Sequence, residues 1–163
     1  MQILIKNKDT LLYDEFEFKC CVGENGISYD KKEGDKKTPK GTYALGPVYY
    51  RSDRLSKLET KLKVIKIKKN MGWCNDVNSK FYNKLIKYNK KIKHEKLYLK
   101  RSNYDVIIPI KYNSAKPVKK KGSAIFLHLT NNYKKTLGCI ALKKKDMFIL
   151  LKLINNKTKI KIF

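Results

Sequence analysis

Over much of this chain apolar and polar residues alternate with the period of two that a half-buried β-strand requires. Ile65 and Ile67 stand between lysines within 63–68, and Ile160 and Ile162 do the same near the C-terminus. Gln2–Lys6 and Thr10–Tyr13 flank Asn7-Lys8-Asp9, which reads as a hairpin, and 15–22 continues the strand pattern into the turn Gly23-Glu24-Asn25-Gly26. The polar stretch 28–40 holds too many turn formers for regular structure, and a strand over 42–45 closes on Gly46-Pro47. Strands are also predicted over 104–110 and 123–128. A different period appears twice. Phe81, Tyr82, Leu85 and Ile86 recur at three- and four-residue spacing after Asn78-Ser79, which predicts a short helix over 78–87. Met147, Leu150, Leu151 and Ile154 predict a second, with Asp146 in its first turn where a negative charge suits the helix dipole. The sum is a mixed, mainly β domain with two short helices, spanning 1–163 with no repeat and no linker.

Two of the apolar runs carry chemistry. Ala124-Ile125-Phe126-Leu127-His128 ends on a histidine, and eleven positions later Gly138-Cys139 opens the run Ile140-Ala141-Leu142. Two strand ends that bring an imidazole and a thiol to one place are the usual way to build a cysteine nucleophile with its base. The thiol is only a few per cent ionised at neutral pH and needs such a neighbour. A glycine before the cysteine lets the backbone turn tightly and aim N–H groups at an oxyanion. Taken singly, each residue has a plainer reading: Cys139 as a buried filler and His128 as a hydrogen-bonded core histidine.

Composition narrows the possibilities. The formal charge is +25, which suggests an anionic partner such as nucleic acid, a membrane surface or an acidic polymer. Yet all but Arg51, Arg54 and Arg101 of the 39 basic residues are lysines, and they spread over the whole chain. Base-edge and bidentate phosphate recognition lean on arginine, so no specific nucleic-acid role is expected. The four cysteines, Cys20, Cys21, Cys74 and Cys139, show no metal-type pairing, and with two histidines in the chain neither a metal nor an organic cofactor is expected. Cys20 and Cys21 are adjacent in a strand and point to opposite faces, which suits packing better than one shared metal. The loop 36–41 lacks the Gly-Lys-Ser/Thr ending of a nucleotide-binding loop. No secretory signal and no transmembrane segment are visible.

Several separated motifs, in order, resemble the L,D-transpeptidase catalytic domain: Gly34-Asp35-Lys36-Lys37-Thr38-Pro39-Lys40-Gly41, Trp73-Cys74-Asn75-Asp76, His94-Glu95, Tyr112-Asn113, Gly122-Ser123 leading to His128, and Thr136-Leu137-Gly138-Cys139. The similarity covers nearly the whole chain. It is narrowest to a stand-alone subgroup with Thr-x-Gly-Cys in place of His-Gly-Cys. It implies a mixed β-sandwich that acts on peptidoglycan stem peptides. The cysteine attacks the carbonyl at the L-centre of a diamino acid and releases the terminal D-residue. The resulting thioester is resolved by a neighbouring stem-peptide amine to give a cross-link, or by water to give carboxypeptidase action. By motif position Cys139 would be the nucleophile, His128 its base, and the amides around Leu137, Gly138 and Cys139 the oxyanion hole. Thr136 opens that motif, and the Leu129 carbonyl would orient His128. Leu137 stands where many members carry a histidine, a departure that bears on transpeptidation more than on thioester formation.

Other residues keep two readings each. Arg51, after Tyr49-Tyr50, is a candidate for holding a substrate carboxylate as a bidentate pair, or a salt bridge with Asp53. His94 and Glu95 are candidates for a second acid-base pair or substrate contacts, or a structural network. Trp73-Cys74 is expected to pack a corner. For the whole chain the alternative is a basic, non-catalytic protein that holds an anionic polymer. The resemblance implies the cell envelope, the visible N-terminus suggests the cytoplasm, and oligomeric state is left open.

Overall fold

The structure, a computed structural model, describes residues 1–88 and 90–163. In chain order the strands are β1 (Gln2–Lys6), β2 (Thr10–Tyr13), β3 (Phe16–Cys21), β4 (Ile27–Ser28), β5 (Thr38–Pro39), β6 (Gly41–Ala44), β7 (Val48–Tyr50) and β8 (Val64–Lys66). They continue with β9 (Met71–Cys74), β10 (Leu85–Lys87), β11 (His94–Lys96), β12 (Val106–Pro109), β13 (Phe126–Leu129), β14 (Ile140–Leu142) and β15 (Lys159–Ile162). Among the described residues there is one α-helix, α1 (Lys144–Leu153), and one 3-10 turn, Ser102–Tyr104.

Ten strands form one mixed sheet in the order β6-β15-β1-β2-β3-β14-β13-β12-β7-β8. It curls on itself. Just beyond β6, Leu45 bridges to Ile110 beyond β12, the Gly46 amide donates to the Pro109 carbonyl at 2.7 Å, and the Lys111 amide donates to the Ala44 carbonyl at 2.8 Å. The interior holds Ile3, Ile5, Val106, Ile108, Leu127, Leu129, Ile140 and Leu142, with Met147, Leu150 and Leu151 from α1 closing the same core. Each buried side chain of this size contributes about 1.5–3 kcal/mol by leaving water.

The alternation along β13 and β14 decides where the chemistry sits. Leu127, Leu129, Ile140 and Leu142 face this core, so Phe126, His128, Cys139 and Ala141 face the other way. That outer face is covered by the second sheet, β10-β9-β11, through Trp73, and by Leu97 just past β11. Phe126, Cys139, Tyr104, Ile107, Ala124 and Tyr49 therefore form a second apolar cluster between the two layers.

The helix expected over 78–87 does not form. Its apolar spacing is real, but the Asp76 carboxylate takes the Asn78 amide at 3.0 Å and the Ser79 hydroxyl takes the Phe81 amide at 3.1 Å, local bonds that compete with a helix. Asn83 sits at φ 56°, and Leu85–Lys87 leaves as β10, paired with β9. Trp73 and Cys74 are not at a corner either; they lie in β9, the central strand of the small sheet. The strand expected from Ser123 starts at Phe126, because Ala124 is left-handed at φ 53°.

Candidate active site

Cys139 lies just ahead of β14, where the parallel register with β13 sets it beside Phe126. Its thiol donates to the Ala124 carbonyl at 3.2 Å and accepts the Phe126 amide at 3.4 Å. His128 is two residues further along β13 on the same face, about 7 Å along the strand from Phe126. Its Nδ1 lies 2.9 Å from the Leu129 carbonyl. A carbonyl can only accept, so Nδ1 carries the hydrogen and Nε2 keeps the free lone pair, the tautomer a base needs. Asn103 also donates to the Leu129 carbonyl, at 3.3 Å. The imidazole rests against the Tyr104 ring, 5.2 Å between centroids, and Tyr104 in turn meets Phe126 edge-on at 6.0 Å.

Burial keeps both groups neutral. Cys139 and His128 are each 7% exposed. Desolvation pushes the thiol far above its ordinary range, with the Glu95 carboxylate adding to the effect. Desolvation also lowers His128 to about 4, against the Leu129 hydrogen bond and with help from Arg101. The resting site therefore holds a thiol on a backbone carbonyl and an unprotonated imidazole.

The backbone before Cys139 is fixed by Thr136. Its hydroxyl accepts the Gly138 amide at 3.1 Å and donates to the Cys139 carbonyl at 2.6 Å. One of the amides expected in an oxyanion hole is thus engaged internally. Those of Leu137 and Cys139 have no backbone acceptor among the described residues. Gly138 has φ 138°, and a Cβ there would stand 2.8 Å from the Lys37 carbonyl. The 36–41 loop is held in that close position by Thr38, whose hydroxyl donates to the Gly138 carbonyl and accepts the Gly23 amide, both at 2.9 Å. Leu137 is 75% exposed.

Of the remaining candidates, Glu95 reaches the site and His94 does not. They alternate along β11, opposite Trp73 and Cys74. Glu95 accepts a hydrogen bond from the Tyr104 hydroxyl. His94 packs against Tyr88 at 4.9 Å and leaves Nε2 buried without a hydrogen-bond partner among the described residues. Each of the three Arg51 nitrogens is engaged: the guanidinium makes a bidentate pair with Asp53 at 2.8 and 2.7 Å, donates to the Leu99 carbonyl at 2.6 Å, and stacks 3.5 Å from the Tyr98 ring centroid. That geometry favours the salt-bridge reading over a free carboxylate receptor.

A family model described as YkuD, the L,D-transpeptidase catalytic domain, matches residues 2–162. The chain belongs to this family. Its fold is also that of solved family-like structures. The helical cell shape determining protein Pgp2 from Campylobacter jejuni is 17% identical with a TM-score of 0.54, and Bdellovibrio bacteriovorus Bd1075 is 16% identical with a TM-score of 0.50. In each case 99% of this chain aligns with 46% of the other, so it spans less than half the length of these relatives. No curated protein sequence matches. These likenesses extend to the fold alone.

Within this family domain one residue organises the site without having been visible in the sequence. Asn83, buried, accepts the Ala124 amide at 3.0 Å and the Trp73 indole N–H at 2.9 Å, and donates to the Tyr112 and Asn113 carbonyls at 3.0 and 2.7 Å. It thereby holds the left-handed Ala124 whose carbonyl takes the thiol. A second network ties the 31–35 loop to the same segment: the Tyr82 and Ser123 hydroxyls donate to Glu33 at 2.5 and 2.8 Å, and buried Lys31 pairs with Asp35 at 2.5 Å. An Asn or Tyr outside any recognisable motif gives no local sign of such a role. A cavity of about 440 Å³ adjoins the site, walled by Tyr49, Trp73, Asn83, Tyr112 and Ile125. Among the described residues no His, Cys, Asp and Glu group is arranged to hold a metal ion, and no helix is long and apolar enough to cross a membrane.

Proposed function

We propose that this chain catalyses cysteine-dependent acyl transfer on peptidoglycan stem peptides, with Cys139 as nucleophile and His128 as base. The observation that carries the reading is a thiol and an imidazole with its Nε2 lone pair free, set on one face of the adjacent β13 and β14 segments, inside a family domain covering 2–162. As the sulfur attacks the amide carbonyl at the L-centre, His128 Nε2 takes the thiol proton and the carbonyl oxygen becomes an oxyanion. The Leu137 and Cys139 amides, which have no backbone acceptor among the described residues, are the donors available to it. Collapse breaks the C–N bond, the imidazolium returns the proton to the leaving amine, and a Cys139 thioester remains.

The high resting proton affinity of the thiol supports proton transfer coupled to attack over a standing thiolate. An amine or a water then resolves the thioester. Exposed Leu137 stands beside the acceptor approach, where it offers the amine an apolar wall and no second base. The cell envelope, where the substrate lies, is the corresponding site of action. A charge of +25 would concentrate the protein on anionic wall polymers in a salt-dependent way. Incubation with tetrapeptide muropeptides tests the reaction: wild type releases the terminal D-residue and Cys139→Ala does not. Equal product profiles from the two would dispose of the reading.

A further inference from the structure

Glu95 is out of keeping with its surroundings. The chain has 39 basic side chains against 14 acidic ones, and of the carboxylates near the site Asp35 takes Lys31 and Asp105 takes Arg54, while Glu33, without a salt bridge among the described residues, takes the two hydroxyls of Tyr82 and Ser123. Glu95 has no salt bridge among the described residues, and its one hydrogen bond is from the Tyr104 hydroxyl to Oε1. Arg101 is near enough to act on it through space without touching it.

The second oxygen, Oε2, has no donor among the described residues, yet it is not a sealed orphan. Glu95 is partly exposed, whereas Cys139, His128 and Tyr104 around it are buried. Tyr104 joins the carboxylate to the reaction centre, since its hydroxyl meets Glu95 while its ring meets His128 and Phe126. A negative group at this place opposes thiolate formation. In the free protein burial raises the proton affinity of Glu95 itself, and the Tyr104 hydrogen bond, with Arg101 at a distance, is what favours its ionised form.

Resting on the acyl-transfer reading, we infer that Glu95, held by Tyr104, is the receptor for a primary ammonium group of the substrate, close to the carbonyl that Cys139 attacks. A bound cation supplies the missing partner of the carboxylate and cancels its opposition to the thiolate at the moment of attack. The site is then productive when the ammonium is seated and resistant to ionisation when it is not. The ammonium has two sources, the side chain of the donor's diamino acid or the incoming acceptor amine, and both present the same –NH₃⁺ to Oε2.

Trp73, the only tryptophan in the chain, packs on Phe126 at 5.2 Å and reports binding by its fluorescence. Cys139→Ala protein is titrated with two synthetic stem tetrapeptides, identical except that the side-chain amine of the third residue is free in one and acetylated in the other. A charged hydrogen bond of this kind is expected to make the free amine bind about tenfold tighter or more. In the Glu95→Gln, Cys139→Ala double variant, where the glutamine carbonyl still accepts from Tyr104, the two peptides bind alike. If the seated ammonium is the acceptor's, donor affinity is indifferent to acetylation, and Glu95→Gln in the Cys139 protein instead lowers the share of thioester resolved by added amine over water.

A preference that survives Glu95→Gln overturns the inference, as does a protein in which neither binding preference nor thioester partition depends on Glu95. The comparison of the two peptides on protein with Glu95 intact stands whatever the folding of the variant. Equilibrium binding is separate from turnover, so failure of D-residue release counts against the acyl-transfer reading alone.

Discussion

Gly138→Ala tests how tightly the backbone before Cys139 is determined. An L-residue at φ 138° is strained, and its Cβ would lie 2.8 Å from the Lys37 carbonyl and 3.3 Å from Ile125 Cδ1. The conformational strain alone is worth about 1–3 kcal/mol. Moving the 36–41 loop to relieve the contact also loosens the Thr38 hydrogen bond to the Gly138 carbonyl, about 1 kcal/mol more. A total near ~3 kcal/mol lowers Tm by roughly 6–12 °C in a domain of this size. The neighbouring Leu137→Ala, at a side chain 75% exposed, should stay within about 0.5 kcal/mol of wild type. Thermal unfolding of the two variants, followed by the rate of Cys139 modification by iodoacetamide in native buffer, measures both consequences. Gly138→Ala with an unchanged Tm and unchanged thiol reactivity would refute the close approach of loop and nucleophile.

Three further outcomes follow from the same geometry. The folded protein holds His128 neutral down to about 4 while the unfolded chain protonates it near its ordinary value of 6.5, so the unfolded state binds the extra proton as pH falls through that window. Urea unfolding should lose up to about 3 kcal/mol between pH 7 and pH 4 on this account, and His128→Gln should flatten the slope; an equal slope in the variant contradicts it. The carboxylates lowered by cationic neighbours, Asp35 and Asp53, act below that window. Arg51→Lys should lower Tm, since lysine cannot reproduce the bidentate pair and the Tyr98 stack, while leaving KM for tetrapeptide unchanged; a KM effect without a Tm effect would restore Arg51 as a substrate ligand. Asn83→Ala strands the Ala124 amide and the Trp73 N–H without acceptors and should cost about 2–4 kcal/mol, read by urea unfolding with Trp73 fluorescence.

Much of this fold was legible because alternation is a local property. Ile160 and Ile162, or the run ending at His128, carry their own evidence, and the heptad-like spacing of Met147, Leu150, Leu151 and Ile154 marked α1. The 78–87 segment misled because apolar spacing cannot report the Asp76 and Ser79 side chains capturing backbone amides in consecutive turns. At the site, period-two alternation sufficed to put His128 and Cys139 on the same face once β13 and β14 were paired. Asn83, Tyr104 and the distinction between His94 and Glu95 were not legible, for they depend on which face of the small sheet meets the large one. That contact is made between residues as distant in sequence as Trp73 and Phe126. Gly138 was expected to free its amide for an oxyanion; the Thr136 hydroxyl, two residues away, engages it instead.

The central claim is that the buried Cys139 is an acylatable nucleophile served by His128. Intact-protein mass spectrometry after incubation with a carbapenem, whose strained amide acylates an activated thiol, addresses it most directly. The account predicts a single adduct located on Cys139, absent in Cys139→Ala and strongly slowed in His128→Gln, with Cys20, Cys21 and Cys74 unmodified. No adduct on wild type, or one that forms equally fast without His128, would contradict it.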